Sequence, residues 1–338
     1  MKKILVIIFA LILISGMTGC GPIFGDGYDF SYTSADKYTS GNTTVTDASG
    51  LAEIFISWYA GNVTIETHDS PSLIIEETAS GVNDDAHRVH HRYQTLNDGD
   101  VLFVEFGKSG VDKYDGMQKD LKIILPENDN YYLGITSSAA NIDLDLSAYE
   151  NTLDKLSVTT DCGAVRAKLD SANTVQIAGY NEDEGAAENR VYELSAKGRI
   201  GSLGINSSYA KVIVDADEVG GMDSVGSVFN ETRFTVNKAD RIKISCTVGT
   251  TYIKAREFDS MDLTLREKPV YISIPQDCEF TLNKTKEKSF DGDPVSDVIE
   301  IGFDGAVKVD DNKYTVGKGS KQINVLTYNE IYIAPIEE

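Results

Sequence analysis

From Ile54 onward, apolar and polar residues alternate. Ile54-x-Ile56, Val63-x-Ile65, Leu73-x-Ile75, Val101-x-Phe103 and Leu121-x-Ile123-x-Leu125 are short runs of period two, separated by Gly, Asn, Asp or Pro. Period two puts successive side chains on opposite faces, so each run predicts a short strand with one face buried. Asn97-Asp98-Gly99-Asp100 supplies a tight turn between two such runs. No window longer than about 11 residues keeps a helical period. Glu182 to Leu194 comes nearest, and Gly185 and the run Val191-Tyr192-Glu193-Leu194 interrupt it.

After Pro126 the runs form a repeat: an apolar-x-apolar-x-small stretch, a short turn, and a second apolar-x-apolar stretch. Leu133-x-Ile135-x-Ser137 leads to Ala140-x-Ile142-x-Leu144, and Leu156-x-Val158-x-Thr160 leads to Gly163-x-Val165-x-Ala167. Leu203-x-Ile205-x-Ser207 leads to Ala210-x-Val212-x-Val214, and Ile242-x-Ile244-x-Cys246 leads to Gly249-x-x-Tyr252-x-Lys254. A last copy runs from Ile323-x-Val325-x-Thr327 to Asn329-x-Ile331-x-Ile333. The spacing is 23 from Leu133 to Leu156 and 21 from Ile242 to Leu263. One strand unit recurring about every 20 residues predicts an all-β, single-chain parallel β-helix or solenoid, whose coils bury their apolar faces by stacking. In this alignment Cys246 takes the place of Ser137, Thr160, Ser207 and Thr327, and is expected to point inward.

The N-terminus reads differently. Lys2 and Lys3 precede an unbroken apolar run of 11 residues, Ile4 to Ile14, then Ser15-Gly16-Met17-Thr18-Gly19 and Cys20. That run is too short to span a bilayer, which takes about 20 residues, and its flanks are those of a signal peptide. The Met-Thr-Gly-Cys ending resembles the lipobox of bacterial lipoproteins, with Met17 where Leu is more usual. The resemblance implies that the Cys20 thiol is lipidated and becomes the mature N-terminus. The expected organisation is a signal peptide over 1–19, a lipidated tether over 20–50, an N-terminal strand portion over 51–126 and solenoid repeats over 127–336. The partner so implied is a membrane, reached through Cys20 on the extracytoplasmic side.

The pattern Ile56-Ser57-Trp58-Tyr59-Ala60-Gly61-Asn62-Val63-Thr64-Ile65, the strand Leu121 to Pro126, the repeated Leu-x-Ile-x-Thr turns and the closing Gly317-Lys318-Gly319 to Thr327 resemble the bacterial "putative adhesin" domain of unknown function. The likeness covers roughly residues 50–333. It implies a β-helical surface protein and brings no catalytic residues with it; beyond the membrane, the expected partner is a protein or glycan surface ligand of unknown identity. The chain departs from the pattern at the insertion Glu182 to Asn189 and around Met222 to Thr235.

Charge narrows the partners. The chain carries 31 Lys and Arg against 53 Asp and Glu, and loss of Lys2 and Lys3 takes the net charge from −22 to −24. Such a surface offers phosphate no cationic patch, which excludes nucleic acid. Beyond Cys20 the cysteines are Cys162, Cys246 and Cys278, an odd number at wide spacing. They suggest buried thiols rather than a disulfide framework.

Candidate chemistry is sparse. His87, His90 and His91 fall in one short segment; on a strand His87 and His91 would share a face as a possible metal pair. Flanking charges favour a solvated strand, and no metal or cofactor is assigned. Asp143, Asp145, Asp161, Asp215 and Asp217 lie near the repeated turns, where a β-helical lyase or hydrolase would carry its acids, yet they hold no fixed coil position and no basic residues group beside them. Asp291-Gly292-Asp293 and Asp310-Asp311-Asn312 lack EF-hand spacing and read as turns. The acidic insertion Glu182 to Glu188 is the best candidate for a functional loop. The expected function is a membrane-anchored surface scaffold or adhesin-like binding module, not an enzyme. The alternatives are a carbohydrate-active enzyme on the same fold, whose sugar-stacking aromatics would have to be Trp58 or tyrosines, and an envelope-sensing or partner-docking domain.

Overall fold

The computed structural model describes residues 29–79, 84–96, 99–112, 117–127, 131–148, 152–179, 190–225, 228–246, 249–286 and 296–337. These residues form an all-β body with no α-helix among them; two short 3-10 turns, Ala35–Lys37 and Asp85–His87, are the helical pieces.

Most strands pair in parallel with a strand about one repeat away, and the pairs fall into two ladders. In the first, Leu102, Ile54, Leu133, Leu156, Val175 and Leu203 stand in consecutive register, as do Met222, Ile242, Met261, Ile323 and Leu282. In the second, Leu121, Val63, Ile142, Val165 and Tyr192 align, followed by Val212, Thr232, Thr251, Val270, Ile331 and Ile299. Backbone from Lys211 N–H to the Arg190 carbonyl, 2.9 Å, joins the two halves of that second ladder. Along the chain, stretches of the first ladder alternate with stretches of the second, and one stretch of each is called a circuit below. The inward residues make one hydrophobic cluster that runs from Ala48 to Ile333. A fully buried Leu or Ile contributes about 1.5–3 kcal/mol over an exposed one, so this continuous core is what holds the circuits together.

The turn between the ladders explains the small polar residue in the repeat. Ser137, Thr160, Ser207, Cys246 and Thr327 are all buried. The Ser137 hydroxyl accepts the Ala140 N–H at 2.9 Å, Thr160 accepts that of Gly163 at 3.0 Å, and Thr327 accepts that of Asn329 at 3.0 Å. An inward hydroxyl thus satisfies a turn amide that no strand partner reaches. The inward Cys246 expected from the alignment is observed at 2% exposure, with its thiol facing the Gly249 carbonyl at 3.7 Å. In the strand Leu51–His68 the turn falls at Gly61, whose φ of +106° and close approach to the Lys119 carbonyl leave no room for a side chain.

The two ends are closed by antiparallel strands. Leu73–Ala79 pairs antiparallel with Lys119–Pro126, and His90–Gln94 with Asp100–Glu105. At the other end Lys321–Leu326 lies between Thr250–Leu265 and Phe280–Thr285, and the hairpin Val307–Asp310 with Lys313–Val316 adds antiparallel to the free edge of Phe280–Thr285. Such caps keep open parallel edges from pairing with other chains.

Several expectations need correction. Residues 29–48, the part of the expected tether that carries Phe30 and Tyr32, lie docked on the body: Phe30 pairs with Val111, Thr39 with His91, Thr43 with Ile75, and Ala48 is fully buried. Their aromatics supply the reason, with Tyr32 and Tyr38 rings 4.4 Å apart and Tyr38 set against Phe103. No boundary separates 51–126 from the repeats, because Leu51–His68 pairs directly with Tyr132–Leu146 along its length. Ile242 stands opposite Met261, 19 residues on, rather than Leu263. In the same circuit the inward residues are Thr251, Ile253 and Ala255, so Tyr252 and Lys254 face solvent. Of the thiols, Cys246 is buried, Cys278 half-buried and Cys162 exposed.

Candidate functional site

The outward faces of the ladders repeat chemistry in rows, because parallel register brings residues one circuit apart side by side. On the second ladder Arg233, Tyr252, Tyr271, Tyr332 and Glu300 form one row. The Tyr252 and Tyr271 rings stack at 5.1 Å and 13°, and Tyr271 stacks on Tyr332 at 4.9 Å and 7°. The Arg233 guanidinium caps the free face of Tyr252 at 5.3 Å. Tyr252 and Tyr271 are each 38% exposed, the largest exposed aromatic feature among the described residues. The rings cover one another's faces, so a ligand meets ring edges, phenol hydroxyls and a guanidinium. The Tyr332 hydroxyl donates to Glu330 at 3.1 Å.

Other rows are ionic. Asp143 faces Arg166 at 3.6 Å, Arg166 faces Glu193 at 4.0 Å, and Asp145 faces Lys168 at 3.7 Å. The same cross-circuit pairing joins Asp223 to Lys243 and Asp259 to Lys321, both at 3.4 Å. Basic partners therefore do stand beside the acids, contrary to the reading from sequence, where residues 20 to 62 positions apart are not seen as neighbours. Exposed pairs of this kind are each worth about 0.2–1 kcal/mol. Asp217 accepts a hydrogen bond from Asn237. Asp161 stands apart: burial pushes its carboxyl up to about 6, against the opposing pull of Arg190.

A polar cluster lies under the first cap. The Lys119 ammonium, 1% exposed, pairs with Glu77 at 2.5 Å, donates to the His87 carbonyl at 2.9 Å and to that of Phe106, and sits over the Trp58 and Phe106 rings at 5.0 and 4.1 Å. Burial pulls its pKa down to about 8. The Trp58 indole donates to the Lys119 carbonyl at 3.0 Å, so the chain's one tryptophan is buried structure and offers no face to a sugar. Glu105, 7% exposed and opposite His90, is pushed up to about 8 by burial, partly offset by a hydrogen bond from Ser57.

The histidines do not assemble as one strand face. His87 closes the turn Asp85–His87 and bonds Asp84 at 2.6 Å, whereas His90 and His91 begin the next strand, both buried. Among the described residues no three His, Cys, Asp or Glu side chains gather as a metal site. Asp310 caps the Asn312 N–H at 2.8 Å, as a turn residue does. Cys20, the insertion Glu182 to Glu188 and Asp291 to Asp293 lie outside the described residues.

The tyrosine row was not legible as a site. The spacing of 19 between Tyr252 and Tyr271 matches one circuit and is a usable signal. Tyr332 joins them only because its strand inserts between Val270–Ile274 and Ile299–Ile301.

No protein-family model matches the chain, and no curated protein matches it. A solved structure, that of "a putative cell adhesion protein from Clostridium sporogenes ATCC 15579", aligns at 11% identity over 88% of this chain and 97% of its own, with a TM-score of 0.20. Likeness at that level leaves the fold and function to be argued from the chain's own residues.

Proposed function

We propose that this chain is an extracytoplasmic lipoprotein, anchored through Cys20, whose body is a single-chain parallel β-helix that presents ordered side-chain rows to a protein or glycan on a surface. The lipobox-like segment ending at Cys20 supports the anchor, since each buried acyl methylene contributes about 0.8 kcal/mol and two or three chains hold stably. The parallel pairing at offsets near one repeat supports the β-helix. The observation that carries the binding role is the Arg233–Tyr252–Tyr271–Tyr332 row: aromatic and cationic groups, fixed by ring stacking and by the ladder beneath, pay little ordering entropy when a ligand docks. The carbohydrate-active alternative lacks comparable support, since Trp58 is buried and Asp143 and Asp145 are paired with Arg166 and Lys168.

Two measurements test this reading. Cys20→Ala should move the protein from the membrane to the soluble exported fraction; retention through a carbonate wash refutes the anchor. The mature protein should bind a member of a panel of immobilised glycans and extracellular-matrix proteins, and the Tyr252→Ser/Tyr271→Ser/Tyr332→Ser variant should lose at least tenfold in affinity, about 1.4 kcal/mol. Binding to no member, or undiminished binding by the variant, refutes the role of the row.

A further inference from the structure

One circuit departs from its neighbours at three positions that converge on one interior spot. The column two residues before Val63, Ile142, Val165 and Val212 holds Gly61, Ala140, Gly163 and Ala210, all small. The corresponding residue before Tyr192 is Arg190. Tyr192 itself replaces the Val or Ile of the flanking circuits. Gly179 stands where Ser137, Thr160 and Ser207 stand in the others, and a Cβ added there would lie 1.9 Å from the Tyr192 hydroxyl. The phenol therefore occupies the place of the missing side chain.

The Arg190 guanidinium is 2% exposed, and among the described residues none of its three nitrogens has a hydrogen-bond partner. The Tyr192 hydroxyl is likewise buried without a bond of acceptable geometry, close to the Ser207 hydroxyl. Asp161 is near enough to feel the Arg190 charge without closing an ion pair with it. A buried lysine, histidine or carboxyl can shed its charge; arginine cannot, so it has to be met by an anion. Removing the Tyr192 ring or shortening Arg190 to alanine would restore the neighbouring pattern, yet this circuit has changed all three positions together.

We propose that Arg190, with the Tyr192 and Ser207 hydroxyls, forms an interior binding site for an oxyanion, a carboxylate or phosphate group gripped bidentately by the guanidinium. The group is either a free small anion or the acidic end of a larger ligand. Both present the same two oxygens to the fork.

The test uses the full mature protein in acetate, phosphate or chloride at equal ionic strength, followed by thermal denaturation and by calorimetric titration with acetate and with inorganic phosphate. The expected result is a saturable rise in melting temperature with acetate or phosphate over chloride. Arg190→Met should fold, because it removes an unpaired buried charge, and should lose the response completely. Tyr192→Phe should keep the fold and weaken the apparent affinity about tenfold, the loss of one hydrogen bond to a charged partner. No anion-specific shift, or an equal shift in Arg190→Met, overturns the proposal. So does a response that appears only when Glu182, Asp183, Glu184 and Glu188 are all changed to their amides, since the guanidinium would then be held by the chain's own carboxylates.

Discussion

Gly179→Ser examines the packing that sets this circuit apart. The new Cβ would stand 1.9 Å from the Tyr192 hydroxyl and 2.7 Å from its Cζ, where ordinary contact begins near 3.4 Å. The ring would have to retreat by about 1.5 Å within a packed ladder, since Tyr192 is 1% exposed and its backbone is fixed opposite Val165. Overpacking of that size costs about 1–3 kcal/mol, and the rigid ladder puts it at the upper end. Tyr192→Val alone removes most of a buried ring and should cost about 2–4 kcal/mol. The two changes together recreate the Thr160–Val165 and Ser207–Val212 pattern of the flanking circuits, so the double variant should be more stable than the sum of the singles by about 2 kcal/mol. Urea denaturation followed by far-ultraviolet circular dichroism gives the three values from shifts in midpoint at constant slope. Additivity within about 0.5 kcal/mol, or a Gly179→Ser variant as stable as the parent, would refute the register that places 179 beside 192.

Other predictions follow from buried groups. Glu105 has a folded pKa of about 8 against an ordinary value of 4.5, so the native state holds its proton longer than the unfolded chain. Its contribution is fully present below about 4.5 and is lost as pH rises to about 8, at a slope approaching about 1.4 kcal/mol per unit. Glu105→Gln should flatten that slope in a stability–pH profile and stabilise the protein at pH 8; an unchanged profile counts against it. Cys162 should react quickly with a bulky thiol reagent and Cys246 only on unfolding. Cys246→Asp, which buries an unpaired carboxylate, should cost several kcal/mol where Cys246→Ser costs about 1. Rapid native labelling of Cys246 would place it outside the core. Asp143→Asn, at an exposed ion pair, should change stability by less than about 0.5 kcal/mol in urea denaturation.

Much of the fold was legible because each circuit is written locally. Alternation fixes which side chains face inward, and the spacing of Leu133 and Leu156 is their register in the structure. The column Ser137, Thr160, Ser207, Cys246 and Thr327 was visible because small polar residues recur at one place in the repeat, and at Ser137, Thr160 and Thr327 the hydroxyl answers a turn amide. What escaped was order among distant strands. Nothing in the alternation of Lys321–Leu326 says that it enters between two earlier strands, or that Ala48, at the other end, buries itself beside Pro71. Ionic rows were invisible for the same reason, since Asp143 and Arg166 become neighbours only once the register is known. Tyr252 misled because tyrosine passes for an inward residue in a period-two pattern, whereas here its ring stacks outward on Tyr271. The departures at Gly179, Arg190 and Tyr192 carry meaning only against the columns of the other circuits.

Both proposals rest on parallel pairing of residues about one circuit apart, and cysteine pairs placed across a ladder measure that directly. In a Cys162→Ser background, Asp143→Cys with Arg166→Cys sets two outward thiols on directly opposed residues of adjacent parallel strands. Strands about 4.8 Å apart put the Cα atoms within the 4.4–6.8 Å that a disulfide spans. Thr174→Cys with Ser202→Cys does the same two circuits on. Mild oxidation of the native protein should close both pairs rapidly, while Asp143→Cys with Lys168→Cys, two residues out of register, should stay reduced. Equal crosslinking of the shifted pair, or none in the matched pairs, would contradict the stacked parallel circuits on which the account stands.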